Sequence, residues 1–248
     1  MSKKLRISII LAVALICIAG VFLMHPIVQD PAYHDFSDGR TWLGIPNFAN
    51  VASNFLFIVM GALGLYTVGR NTSKYKTGEY AAWMVFFFGV LLTGFGSSYY
   101  HWSPDNNTLV WDRLPMTIAF MSLLSFMIME RINACIGFIL LPVLIFTGLL
   151  SVGYWHYTES LGQGDLRPYA LVQFLPMVLI GLILVLFPLR DGRTRYLIYV
   201  FAWYALAKLL EHYDDQVYAL SGHIISGHPL KHLAAAAGIW WVIKYARR

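Results

Sequence analysis

Charged residues are scarce in this 248-residue chain. Asp, Glu, Lys and Arg together make up 12% of it, whereas hydrophobic residues make up 58%. Soluble domains carry roughly 25% charged residues, so this composition argues against a soluble globular protein. Cysteine is nearly absent as well: Cys17 and Cys135 lie in separate apolar runs, and no disulfide framework is predicted. The composition is instead typical of a helical protein that crosses a membrane several times.

Long apolar runs recur along the whole chain. A helix needs about 20 mostly apolar residues to cross a bilayer, and eight stretches approach or exceed that length. The predicted spans are residues 7–24, 47–68, 80–100, 114–129, 134–152, 169–187, 196–213 and 228–245. The sequence therefore predicts an all-α polytopic membrane protein.

The first span follows a basic start, Lys3 to Arg6, which is a pattern that signal peptides share. A signal peptide would also need a cleavage site of the Ala-x-Ala type, and none follows this run. We therefore predict a retained N-terminal transmembrane helix in preference to a cleaved signal.

The distribution of Lys and Arg among the loops predicts the orientation, because cytoplasmic loops are enriched in these residues. With a cytoplasmic N-terminus, the inner segments hold Lys3, Lys4, Arg6, Arg70, Lys74, Lys76, Arg131, Arg190, Arg193, Arg195, Arg247 and Arg248. The outer segments hold only Arg40, Arg113 and Arg167. Both termini are thus predicted to be cytoplasmic, and the same bias accounts for the net charge of +5 without a nucleic-acid partner.

The stretch from Gly94 to Asp112 places polar side chains where an apolar span meets water. Ser97 and His101 are four residues apart, so they share one face of a helix. Near the C-terminus, His228 and His232 repeat the four-residue spacing. The predicted orientation puts both groups at the same outer face of the membrane, periplasmic or lumenal.

A single histidine near a helix end is usually an interfacial or hydrogen-bonded residue. Two groups at one depth favour a metal site, because three imidazoles can bind zinc and leave its fourth position open. We therefore predict that His101, His228 and His232 bind Zn²⁺, which lowers the pKa of a bound water. Asp112 is the predicted base for that water, and Ser97 the predicted hydrogen-bond donor to the developing oxyanion.

The Ser-x3-His-x10-Asp pattern of residues 97–112, followed by His-x3-His at 228–232, resembles the alkaline ceramidase family. That family belongs to a group of seven-helix membrane hydrolases related to the adiponectin/progestin-type receptors. The segment NFANVASN, Asn47 to Asn54, is similar to the start of its first helix. The resemblance implies a ceramidase-like seven-helix domain at residues 26–248, preceded by an extra transmembrane helix at 1–25. It also implies a zinc-dependent hydrolase that cleaves the amide bond of a ceramide-like membrane lipid, with zinc-bound water as the nucleophile.

Eukaryotic members of that family also bind Ca²⁺ through acidic residues just before the first helix. By the resemblance, Asp35 and Asp38 roughly match two of these ligands, and Asn47 stands where the family has a glutamate. Arg40, however, occupies about the position of another ligand. Because calcium requires several oxygen ligands, a cation beside the site weighs against its binding.

Two other classes of protein are compatible with the same residues. A lipid-binding membrane receptor with a structural zinc is the main alternative, although a structural zinc is normally closed by a fourth protein ligand and none is evident. A transporter is less favoured, because the polar groups gather at one membrane face and transporter sites usually lie near the midplane.

Overall fold

The computed structural model describes residues 1–247, and this part of the chain contains ten α-helices and no strand. The helices are α1 (Lys3–Leu23), α2 (Phe48–Ser53), α3 (Phe55–Gly69), α4 (Thr77–Trp102), α5 (Asn106–Arg131), α6 (Ala134–Ser160), α7 (Arg167–Leu186), α8 (Thr194–His212), α9 (Asp214–Leu220) and α10 (Gly227–Ala246). The predicted all-α fold class is confirmed. Arg248, the last residue of the predicted 26–248 domain, lies outside the described residues.

Six helical segments are long and apolar enough to cross a membrane. They are α1, α2 together with α3, α4, α5, α6 and α7. α8 and α10 have the length of a span but are less apolar, and they carry ionisable residues, among them Lys208 and Glu211 in α8 and Lys231 in α10. The eight predicted spans therefore correspond to eight long helical segments, and the chain is an integral membrane protein.

Two helices extend beyond the predicted spans into polar sequence. α5 begins at Asn106, about two turns before the predicted start at residue 114, so Asp112 lies inside a helix. A reciprocal cap supports this early start: Asp105 Oδ1 accepts a hydrogen bond from Thr108 N at 2.7 Å, and Asp105 N donates to Thr108 Oγ1 at 3.0 Å. α6 similarly continues to Ser160 instead of ending at residue 152.

The described residues form two compact units. The first comprises Met1–Gln29, Tyr75–Phe86 and Thr117–Asp191. Within it, α1 packs along α7, and Arg6 Nη1 donates to Leu186 O at 2.8 Å. Ile10 is the one buried residue of α1, so most of its apolar surface remains accessible, as expected for a helix that faces lipid.

The second unit comprises residues 30–74, 87–116 and the described chain from 192 onwards, and it contains every residue of the predicted zinc site. In this unit α10 packs on α8, α3 and α2. Gly227 allows the start of α10 to approach α8, since a Cβ there would lie 2.1 Å from Leu210 O. Gly96 has the same effect between α4 and α5, where a Cβ would lie 2.0 Å from Trp111 O. The first contact packs the start of α10 against α8, and the second packs the polar ends of α4 and α5 against each other.

Candidate metal centre

The three predicted zinc ligands lie together. His101 comes from the last turn of α4, and His228 and His232 come from the first two turns of α10. One ring nitrogen of each lies within 4.8 Å of the other two, and all three side chains are buried. Because α10 already begins at Gly227, Pro229 sits in its first turn, where proline is tolerated, and the two α10 histidines share one face.

Two of these histidines have a buried ring nitrogen without a protein partner. Within residues 1–247, neither His101 Nδ1 nor His228 Nε2 forms a hydrogen bond. A buried polar atom left unpaired costs about 1–3 kcal/mol, which a coordinated cation would offset. Three neutral imidazoles are a preferred donor set for zinc. The residues present therefore fit a metal ion of this kind.

The protonation of His232 follows from its hydrogen bonds. Its Nδ1 lies 2.8 Å from Ser53 Oγ, and the single Ser53 hydroxyl proton is donated to Asn50 O at 3.0 Å. Ser53 Oγ must then accept a hydrogen bond from His232 Nδ1–H, so the Nε2 lone pair remains available for a cation. Ser53 thus orients a candidate metal ligand from α2.

Replacing Ser53 by alanine is expected to weaken zinc binding about 10- to 100-fold, the usual effect of removing a partner that orients a metal-bound histidine. The measurement is chelator competition on the purified protein. Ser98→Ala is the matched control, because its hydroxyl donates to Gly94 O at 2.7 Å inside α4. An unchanged zinc affinity in Ser53→Ala would contradict the orienting role.

The backbone at two of the histidines is also held in place. Asn47, in the left-handed conformation with φ 48°, donates from Nδ2 to His101 O at 2.9 Å and so satisfies a carbonyl at the end of α4. Asp214 Oδ1 accepts from His228 N at 2.6 Å, which places a carboxylate at the N-terminus of α10. Both contacts fix where the helices carrying the ligands end or begin.

Ser97 and Asp112, the predicted catalytic residues, lie beside each other. The Ser97 hydroxyl donates a hydrogen bond to the Asp112 carboxylate. Ser97 is buried one turn before His101 on α4, and Asp112 is half-buried on α5. The close contact at Gly96 makes this bond possible, because Gly96 and Trp111 immediately precede the two residues.

Phe36 covers the histidine cluster from the loop before α2. Its ring centroid lies 4.6 Å from that of His101 and 4.6 Å from that of His228. The next residue, Ser37, donates from Oγ to Asp214 Oδ2 at 2.8 Å and ties the loop to the start of α9. An apolar ring therefore shields one side of the cluster from water.

Asp38 and Arg40 form a forked ion pair in the same loop. Arg40 Nε lies 2.7 Å from Asp38 Oδ1, and Arg40 Nη2 lies 2.7 Å from both Asp38 Oδ2 and Ile224 O. The hydrogen bonds from this guanidinium hold the pKa of the Asp38 carboxyl below its usual value. Both Asp38 oxygens thus bind a protein cation, and Asp35 is exposed, so the residues present do not fit calcium well. The calcium site at Asp35, Asp38 and Asn47 stays a prediction.

Glu211 neutralises a lysine next to the cluster. It accepts hydrogen bonds from Lys208 and Lys231, each at 2.6 Å, and Lys231 precedes His232 in α10. A cation beside a divalent metal is unfavourable, and a carboxylate partner reduces that repulsion.

The fold and the cluster together define the class of protein: an integral membrane protein with three buried histidines that could hold a metal ion. Residues 43–245 match the model of the family described as Ceramidase, and this chain belongs to that family. The matched segment includes all five predicted zinc-site residues, whereas α1 precedes it. The resemblance to the alkaline ceramidases is thereby confirmed. A search of curated proteins finds no match.

Several contributors to the site carried no recognisable signal in the sequence. Ser53 contacts the cluster from α2, Phe36 from the loop before α2, and Asp214 from the start of α9. The three asparagines of residues 47–54 recur at helical spacing, which is typical of a helical segment with polar contacts on one face.

Proposed function

We propose that this protein is a zinc-dependent hydrolase that cleaves the amide bond of a ceramide-like lipid within the membrane. The observation that carries the proposal is the convergence of three buried histidines with a hydrogen-bonded Ser97–Asp112 pair. Membership of the Ceramidase family supports amide hydrolysis of a lipid.

Zinc bound by the three histidines would supply a Lewis acid that polarises a carbonyl and makes water more acidic. Asp112 is the proposed general base: its carboxylate accepts the proton of the attacking water. It then returns this proton to the leaving amine nitrogen, so that the C–N bond breaks to give a fatty acid and an amine.

Ser97 has two successive tasks in this proposal. While Asp112 is ionised, the Ser97 hydroxyl donates to it and orients the base. Once Asp112 has taken a proton, it can donate to Ser97 Oγ, and the Ser97 proton becomes available to the developing oxyanion. The predicted oxyanion role is thus compatible with the observed hydrogen bond, although it belongs to a later stage of the reaction.

The apolar surroundings suit a lipid amide. Phe36 packs against two of the histidine rings and limits the access of bulk water from the loop side. α4 and α5, two of the helices that carry the site, are long and apolar enough to cross a membrane, so a substrate with long acyl chains could approach from the bilayer.

The lipid-binding receptor is the second candidate, since it would use the same histidines for a structural zinc. Structural zinc sites are usually closed by four protein ligands. Among residues 1–247, the one group of three or more such side chains that could hold a metal ion consists of three histidines, and three protein ligands favour a site that keeps one position open.

The decisive experiment is mass spectrometry of lipids incubated with the purified protein. A panel of ceramides and matched ester lipids is compared between the wild type and His232→Ala. We expect the wild type to release fatty acid from the amides and the variant to release none above background. A zinc-loaded wild type that binds lipid but releases no fatty acid from any member of the panel would establish the receptor instead.

The orientation is also part of the proposal. Both termini are cytoplasmic, and the site faces the periplasmic or lumenal side, on the strength of the loop charges. Residues 1–25 would form an additional transmembrane helix attached to a ceramidase-like domain at 26–248.

A further inference from the structure

A basic cavity lies at the opposite end of α10 from the histidine cluster. It has a volume of about 460 Å³, and its walls come from the end of α3, the turn that follows it and the residue after α10. The lining residues are Tyr66, Thr67, Arg70, Asn71, Lys74 and Arg247. It lies roughly 20 Å along α10 from His232, so it is separate from the candidate metal centre.

The cavity carries three positive charges and no negative one among its described lining residues. Arg70 is held in position by Tyr66, because its Nη1 donates to the Tyr66 hydroxyl at 2.8 Å and its guanidinium lies 5.6 Å from the ring centre. Arg247 lies over the ring of Trp240, at 5.9 Å. Asn71 Nδ2 donates to Thr67 O at 2.8 Å and holds the turn against the end of α3.

A wall with three cationic side chains is chemically suited to a phosphate-bearing anion. A guanidinium can bind two phosphate oxygens at once, and a lysine ammonium adds a point charge. The volume falls within the usual range for small-molecule sites and exceeds what an inorganic phosphate would fill. The cavity also adjoins a membrane span with an exposed tyrosine at its end, where lipid headgroups are found.

We propose that this cavity binds the phosphate headgroup of an anionic phospholipid between the ends of α3 and α10. Basic pockets between transmembrane helices are a recurrent way to hold such headgroups. The site is independent of the proposed hydrolysis, because it needs neither zinc nor a scissile amide.

The test is a titration of the delipidated, detergent-solubilised full chain with dioleoylphosphatidylglycerol, followed by native mass spectrometry. Dioleoylphosphatidylcholine and inorganic phosphate are titrated in parallel. Each basic residue near the surface contributes about fivefold to anionic lipid binding, so the combined Arg70→Gln, Lys74→Gln and Arg247→Gln variant should lose about 100-fold. The control variant replaces Lys4, Arg190 and Arg195 by Gln, which removes the same charge from exposed positions outside the cavity.

We expect the wild type and the control to prefer phosphatidylglycerol over phosphatidylcholine and the cavity variant to lose that preference. A different result is that the wild type binds inorganic phosphate but shows no preference between the two lipids, and that only the cavity variant loses this phosphate binding. The site would then bind a soluble phosphate instead of a lipid headgroup. If the cavity variant and the control variant lose the same amount of affinity for phosphatidylglycerol, the proposal is wrong. Far-UV circular dichroism and gel filtration report on folding without reference to zinc. If the triple variant is misfolded, the single variants Arg70→Gln and Arg247→Gln decide, and each is expected to lose about fivefold in affinity for phosphatidylglycerol.

Discussion

Replacing His232 by alanine is expected to reduce bound zinc from about one ion per chain to less than about a tenth of that. The physical reason is that a three-histidine site has no spare protein ligand, so the two remaining imidazoles hold zinc far more weakly. The same result is expected for His101→Ala and His228→Ala. Zinc content is measured by elemental analysis after purification in buffer containing a weak chelator.

The control for this prediction is His212→Ala. His212 is exposed at the end of α8, and its ring contacts Tyr213. Its loss should leave zinc content unchanged. If a variant that lacks all three clustered histidines still contains stoichiometric zinc, the metal is bound elsewhere. The prediction that His101, His228 and His232 bind zinc would then be wrong.

Replacing Asp112 by asparagine is expected to lower turnover of a ceramide substrate about 100-fold or more while zinc remains bound, because general-base catalysis contributes on this scale. Asparagine keeps the size of the side chain and can still accept a hydrogen bond from Ser97, but it cannot take a proton from water. Fatty acid release and zinc content are measured on the same preparation, so that loss of the base is distinguished from loss of the metal.

Asp105→Asn, at the residue that caps the start of the same helix, is the matched control. Its carboxylate caps α5 through Thr108 N, and asparagine is an equally good capping residue. We therefore expect nearly normal turnover. If the turnover of Asp112→Asn stays within a few fold of the wild-type value, Asp112 is not the general base. The turnover of Ser97→Ala should lie between the values for Asp112→Asn and Asp105→Asn. The expected loss is up to about 100-fold if the Ser97 hydroxyl donates to the oxyanion.

The apolar runs predicted the helices because burial in lipid requires long uninterrupted apolar segments whatever their neighbours are. The same reasoning misplaced the ends of α5 and α6. Asn106 to Asp112 is polar enough to resemble a loop, yet the Asp105–Thr108 cap allows the helix to start there. Apolar content locates the part of a helix that lies in the membrane and not the turns that continue beyond it.

Four-residue spacing predicted that His228 and His232 share a face, since this follows from helix geometry alone. The Ser97–Asp112 hydrogen bond depends in addition on how closely α4 approaches α5, which is set by the missing side chain of Gly96. Contacts of this kind join residues far apart in sequence, and no local pattern encodes them. The roles of Ser53 and Phe36 were unpredictable for the same reason.

Phe36 has a further consequence for the residence time of a bound metal. Its ring lies against His101 and His228, and its loop is anchored by Ser37 on Asp214 and by Arg40 on Ile224. From this side, an ion or a chelator reaches the ring nitrogens only when the loop opens locally. In the proposed zinc site, the histidines would determine how tightly the ion is held at equilibrium, whereas the anchored loop would limit how fast it exchanges from this side. Above a certain chelator concentration, the rate of zinc release should become constant and equal to the rate of loop opening.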